Sequence, residues 1–227
     1  MAGDVLVGDR PVTKPGAEVP VDAPVRLRAA DSRYVSRGGE KLAGALDAFG
    51  LEVRDRIALD VGASTGGFTD CLLQRGVRRV IALDVGHGQL AWRLRQDPRV
   101  VVIERTNARH LTAAMLPEPP DLAVIDVSFI SLAAVLSPIA VVLQPGGIVL
   151  ALVKPQFEVG RGRVGKGGVV RDAALRAEAV AAARATAERL GLEVRGEAES
   201  VLAGPKGNRE VFLWLTRPAP CGSAGRV

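Results

Sequence analysis

From Ile57 onward the sequence alternates short, continuously apolar runs with stretches whose apolar residues recur at helical spacing. The runs Ile57–Asp60, Arg79–Asp84, Val100–Glu104, Leu122–Asp126 and Ile148–Val153 predict buried strands, and Phe68–Gln74, Leu90–Arg95, Leu111–Met115 and Leu132–Leu143 predict helices between them. A strand that is apolar on both faces needs cover on both, so the pattern predicts a doubly wound, mostly parallel α/β sheet. Ahead of it, Glu40–Phe49 is apolar at Leu42, Ala45, Leu46 and Phe49, which predicts a helix. A long alanine-rich helix follows from about Asp172 to Leu190. Two consecutive strand runs, Glu193–Leu202 and Glu210–Leu215, end the pattern, and the short turn Ala-Gly-Pro-Lys-Gly-Asn between them requires an antiparallel pair.

The first 30 residues follow another rule. Val5–Leu6–Val7, a turn at Gly8–Asp9 and valine- and proline-punctuated stretches up to Arg28 predict short strands without a helix, in a segment too small to fold alone. Residues 31–37 read as a linker, 38–217 as the main domain and 218–227 as a disordered tail. The 227-residue chain is nearly half apolar, enough for one good-sized core, yet no apolar run reaches membrane-spanning length. No signal-like start is present, so a cytoplasmic protein is expected. Cys71, Cys221, His87 and His110 have neither disulfide nor metal-ligand spacing, and no metal is expected. A net charge of +5 favours an anionic partner, or simply a basic surface; with few aromatic residues, stacking is not the main mode of recognition expected.

The chemistry begins where the first run ends. Asp60 closes it, and Gly62, Ala63, Ser64, Thr65, Gly66, Gly67 and Phe68 lead into the next helix. The glycines let backbone approach something closely, but neither a Gly-Lys-Ser/Thr phosphate loop nor G-x-G-x-x-G is present. A carboxylate there suits a cationic, hydroxyl-bearing ligand, and S-adenosylmethionine carries an ammonium, a sulfonium and a ribose diol. Asp84 lies about 20 residues beyond the glycine turn, where a ribose-binding acid belongs; the competing role is a helix N-cap before Gly86–Gly88. Asn107 suits either an adenine edge or an ordinary turn. Asp126 and Lys154 end neighbouring runs and point into one crevice, as a catalytic base with its carboxylate or as a rim salt bridge. Phe157–Arg171, rich in glycine and carrying Arg161, Arg163, Lys166 and Arg171, reads as a mobile loop outside the core, either a phosphate-contacting lid or an ordinary solvated loop. Arg33, Arg37 and Lys41 extend the basic surface.

Five ordered motifs carry a resemblance. They are Tyr-Val-Ser-Arg-Gly-Gly-Glu-Lys-Leu (Tyr34–Leu42), the glycine loop Asp60–Phe68, Asp-Val-Ser-Phe-Ile-Ser-Leu (Asp126–Leu132), Val-Lys-Pro-Gln-Phe (Val153–Phe157) and Gly-Asn-Arg-Glu (Gly207–Glu210). Together they resemble the TlyA, or hemolysin A, family of ribosomal RNA 2'-O-methyltransferases with an FtsJ-like catalytic domain. The resemblance implies a seven-stranded, Rossmann-like sheet of the S-adenosylmethionine methyltransferase type with its last strand antiparallel. It also implies a catalytic set of Lys41, Asp126, Lys154 and Glu210, and transfer of methyl to a ribose hydroxyl, of cytidine, in ribosomal RNA or a ribosomal subunit. Val5–Leu27 resembles only the strand-rich end of that family's S4 RNA-binding domain, so residues 1–30 are expected to be a partial S4-like segment. Three alternatives stand beside this one: a nucleotide-dependent oxidoreductase, a membrane-active hemolysin, and a ribosome-associated RNA-binding factor that keeps the cofactor without efficient turnover.

Overall fold

The computed structural model describes residues 5–8, 10–12, 14, 16–27 and 33–219. Asp9, the start of the expected linker and the expected tail from residue 220 lie outside them. The chain divides into two units, Met1–Arg33 and Tyr34–Val227. In the first, β1 (Val5–Val7) pairs antiparallel with both β2 (Arg10–Val12) and β3 (Val25–Leu27). Gly8, at φ +59°, turns the chain out of β1 and donates its N–H to the Pro24 carbonyl at 2.8 Å.

The second unit begins with Tyr34, buried against Gly39, and with Val35, whose N–H is held by Asp70 Oδ2 at 2.8 Å. In chain order come α1 (Gly38–Phe49), β4 (Ile57–Val61), α2 (Gly67–Gln74), β5 (Arg79–Leu83), α3 (Trp92–Arg95), β6 (Val100–Ile103), β7 (Leu122–Ile125), α4 (Ala133–Val142), β8 (Ile148–Val153), α5 (Pro155–Glu158), α6 (Ala173–Arg189), β9 (Glu193–Glu199) and β10 (Val211–Thr216). The seven-stranded sheet runs β6-β5-β4-β7-β8-β10-β9. Its first five strands are parallel, and β10 is antiparallel to both neighbours. The chain therefore has the α/β architecture that the apolar runs predict.

Strand alternation divides the core in two. Leu59, Val61, Ile81 and Ile125 pack with Leu136 and Ile139 of α4 and with Ala183 of α6. Ala58, Val80, Val124 and Phe212 pack on the other face with Leu42 and Leu46 of α1 and Leu72 of α2. Alanines let α6 lie close to the sheet, and Asp172 caps its start by accepting the Ala174 N–H at 2.7 Å.

Two expected elements change. Leu111–Met115 is not a helix; short 3₁₀ turns at Ala108–His110 and Ala113–Met115 stand there instead. Pro117, Pro119 and Pro120 follow immediately, so no helix of stable length fits. The helix expected from Leu90 starts only at Trp92, because Ala91 is held extended while its N–H binds the Thr65 carbonyl at 3.1 Å. Among the described residues no helix is long and apolar enough to cross a membrane. Removing a fully buried side chain where α4 meets the sheet tests this packing. Leu136→Ala should cost about 2–5 kcal/mol, read as a lower urea midpoint at unchanged m value.

Candidate active site

The glycine loop after β4 is shaped first by its own chain. Gly62 has φ +86°, and a Cβ there would stand 2.6 Å from the Asp126 carbonyl oxygen. One on Gly66, at φ +99°, would meet Leu94 Cδ1 at 2.4 Å, and one on Gly67 would meet Ser36 Oγ at 2.3 Å. The close approach expected from the glycines is thus in large part an approach of chain to chain. Within the loop Ser64 takes a left-handed φ of +48°, and its N–H is aimed at Asp84 Oδ2, 2.8 Å away. Asp84 Oδ1 accepts from Gly86 N–H at 2.6 Å. Since α3 begins only at Trp92, Asp84 closes an Asx turn rather than capping a helix. Each of its oxygens keeps a lone pair beyond the one used.

Two cavities open at the carboxyl ends of the parallel strands, where ligands of such sheets bind. One, of 570 Å³, is lined by Asp84, Val85, Thr106 and Asn107. The other, of 610 Å³, is lined by Lys41, Lys154 and Glu210, with Ala63, Thr65, Gly67 and Phe68 of the loop. They meet at Gly62, Ser64, Asp126, Ser128 and Phe129. Asn107 also caps its 3₁₀ turn, accepting the Arg109 N–H at 3.1 Å, so the turn role and a place on the wall coincide. Gly66 and Asp60 are not on either wall: Gly66 faces Leu90 and Leu94, and Asp60 is fully buried beneath the loop.

Two ion pairs organise the larger cavity. Lys154, held extended at the end of β8 by Pro155, places Nζ 2.6 Å from Asp126 Oδ1 and donates to Ser128 Oγ at 2.9 Å. Lys41 on α1 reaches Glu210, just before β10, at 2.5 Å. Both lysines are 8 % exposed and Glu210 is 1 % exposed. Burying charge costs several kcal/mol per ion before pairing offsets it, so such pairs are weak as stabilising devices. Their position on the cavity wall points to chemistry. Gly204 makes room for the second pair, since a Cβ there would lie 2.5 Å from Glu210 Oε1.

The glycine-rich segment expected to be mobile and outside the core is fastened instead. Val159 and Val170 are buried with Ala179, and the Asn208 side chain accepts the Val170 N–H at 2.9 Å and donates to the Gly168 carbonyl at 2.9 Å. Glu158 accepts from Ser131 Oγ at 2.7 Å and from Leu132 N–H at 2.8 Å. Of the expected RNA-contacting cations, Arg37 and Lys41 line the larger cavity. Arg163 pairs with Glu178, Lys166 is exposed away from the wall, and Arg33 belongs to the other unit. The Arg161 side chain lies outside the described ones. Sequence reasoning missed Ser128, Asn208 and Gly204. It also missed Phe129, at φ +65° and 92 % exposed, whose ring lies 5.2 Å from that of Phe157. Ser128, Phe129 and Asn208 sit inside quoted motifs; no local pattern marks the approach of Gly204 to Glu210.

Residues 34–217 match the FtsJ-like methyltransferase family. The chain is 51% identical over 215 residues, 94% of its own length and 80% of the relative's, to the 16S/23S rRNA (cytidine-2'-O)-methyltransferase TlyA of Mycobacterium tuberculosis. A solved structure of a hemolysin candidate from Streptococcus thermophilus is 42% identical with a TM-score of 0.83, covering 99% of this chain and 82% of that one. The N-methyltransferase NodS of Bradyrhizobium japonicum, solved with S-adenosyl-L-homocysteine, shares the fold at 15% identity and a TM-score of 0.57, covering 83% and 90%.

Asp60 leaves a measurable signature. Thr69 Oγ1 donates to its Oδ2 at 2.6 Å, while Oδ1 is buried without a partner among the described residues. Burial raises its pKa from 3.8 to about 7; the Thr69 hydrogen bond opposes this, and Asp126 and Asp84 add to it. The folded state therefore holds a proton that the unfolded state has released between about pH 4 and pH 7, and stability falls as pH rises through that window. Asp60→Asn should remove this fall, so the stability of the variant relative to the parent improves from pH 5 to pH 8. Over that interval the gain is at most on the order of 3 kcal/mol, and urea unfolding at both pH values checks it; a constant difference would refute the assignment.

Proposed function

The chain belongs to the TlyA group of the FtsJ-like methyltransferase family, and on that basis we propose that it transfers a methyl group from S-adenosylmethionine to a cytidine ribose 2'-hydroxyl of ribosomal RNA, on the ribosome in the cytoplasm. The observation that carries this reading is the Lys154–Asp126–Ser128 cluster at the junction of the two cavities, with the Lys41–Glu210 pair on the adjoining wall.

The donor set fits the cofactor. The smaller cavity offers the Asp84 carboxylate, both oxygens with spare acceptor capacity, for the ribose diol, and Asn107 for the adenine edge. Asp126 on the shared wall, one oxygen of which pairs with Lys154, presents a carboxylate that suits an ammonium or a sulfonium, and Asp60 beneath the loop, protonated up to about pH 7, adds a polar group to the floor. The walls of Gly62, Ala63, Ser64, Thr65, Gly67 and Phe68 carry the rest of the molecule, with Gly66 shaping the loop from behind. When bound, S-adenosylmethionine supplies an electrophilic methyl group.

The residues of this chain then have separate tasks. Lys154 Nζ, in its neutral form once its own proton has passed to Asp126 or to solvent, takes the proton of the 2'-hydroxyl, and Asp126 and Ser128 hold that amine in place. Lys41, positioned by Glu210, contacts the acceptor nucleotide. A sugar hydroxyl is a poor acid, so positioning and fixed charge supply much of the rate. Arg37 stands at the cavity, and Arg163 would meet RNA by exchanging Glu178 for phosphate; Arg161, Lys166 and, in the other unit, Arg33 are further candidate phosphate contacts. In this reading residues 1–30 are a partial S4-like RNA-binding segment and 38–217 the catalytic domain.

Labelled cofactor offered with intact ribosomal subunits or free ribosomal RNA should place label on a cytidine ribose. Lys154→Ala should lower kcat by about 10²–10⁴-fold without weakening cofactor binding; undiminished transfer would remove Lys154 from the reaction. Asp84→Asn should weaken S-adenosylmethionine binding by about ten- to a hundredfold in calorimetry, and unchanged affinity would exclude the ribose contact.

A further inference from the structure

The larger cavity is lined by four cations, Arg37, Lys41, Lys154 and Lys206, and by two acids, Asp126 and Glu210. The acids are committed, because Asp126 pairs with Lys154 and Glu210 with Lys41. Arg37 and Lys206 are exposed and have no acidic partner among the described residues. Elsewhere in this unit many arginines are matched, among them Arg79 with Glu118, Arg95 with Glu104, Arg163 with Glu178 and Arg184 with Glu197. Other cations of this unit, among them Arg54, Arg105 and Arg171, also lack an acidic partner among the described residues, so what sets Arg37 and Lys206 apart is their place on the cavity wall.

The two surplus cations stand in different places. Arg37 leads α1, next to Ser36 and Gly38, which touch the glycine loop at Gly67 and Phe68, the cofactor side. Lys206 lies on the β9–β10 turn, four residues before Glu210, and its Nζ rests 3.4 Å from where a Cβ on Gly168 would be. Gly168, at φ +80°, leaves the room for it. Asn208 ties that turn to the glycine-rich segment, so the amine is carried on a wall anchored beside Glu210.

A ribose 2'-oxygen in RNA always has an anion one carbon away, the phosphodiester on the 3'-oxygen. Bringing the hydroxyl to Lys154 brings that phosphate into the cavity, where the two lysines beside it are already neutralised. An unmatched anion in a partly enclosed cavity is costly. We infer that Lys206 binds the phosphodiester 3' to the methylated nucleotide and so fixes the register of the acceptor strand. It is a positioning residue, and the inference rests on the ribose-methylation reading above.

The test compares wild type, Lys206→Gln and Lys206→Arg in methyl transfer to ribosomal RNA over a range of salt concentrations. It adds an RNA carrying a neutral methylphosphonate at the linkage 3' to the methylated ribose. Lys206→Gln should raise KM for RNA about tenfold and flatten the salt dependence by about one phosphate contact, with cofactor affinity unchanged and Lys206→Arg close to wild type. The methylphosphonate should cost wild type a similar factor and Lys206→Gln nothing further. An unchanged KM and salt slope, additive losses from substitution and methylphosphonate, or a loss of cofactor affinity would each overturn the assignment. Transfer by wild type with an indifferent Lys206→Gln sinks this inference alone; no transfer by wild type to any ribose sinks the methylation reading and this inference together.

Discussion

The contact on which the site depends is that of Gly62 with the Asp126 carbonyl, with no room between them for a side chain. The parallel ends of β4 and β7 are adjacent, so a side chain at residue 62 would force the loop away from the strand that delivers Asp126. Because the backbones touch, the cavity holding Asp84 and the cavity holding the lysines share one wall. A reaction that joins a bound donor to a separate acceptor needs that shared wall, since proximity is effective only when the reacting atoms are within contact range.

Around this contact the chain brings together residues far apart in sequence. Lys41 and Glu210 are separated by 169 positions and meet at 2.5 Å, because β10 is inserted in reverse beside β8 and ends its preceding turn over α1. Ordinary packing would make the same wall from apolar residues at less desolvation cost. Keeping charge there has chemical value only with a substrate present. Gly204 and Asn208 belong to the same arrangement, one clearing space for Glu210 and the other tying the glycine-rich segment to its turn.

Much of the fold was legible. The runs at Ile57, Arg79, Val100, Leu122 and Ile148 become the five parallel strands, since burial on both faces leaves a continuous apolar signal. The elements that changed are short ones governed by neighbours: prolines beyond Met115, and the Thr65 carbonyl that holds Ala91. The glycine-rich segment Phe157–Arg171 reads as mobile from composition, but its own Val159 and Val170 and one buried asparagine from elsewhere tether it. No local pattern carries that information, because the asparagine is 38 residues away from the amide it holds.

The sequence by itself determined the α/β class, the glycine loop, the acids at the ends of three strands and the lysine before Pro155. Each follows from local periodicity or from a turn that only certain residues allow. The tertiary structure alone decided which charge neutralises which: Asp126 takes Lys154, Glu210 takes Lys41, and Lys206 is left over on the same wall. Pairing depends on distance through space, and composition records only how many charges there are.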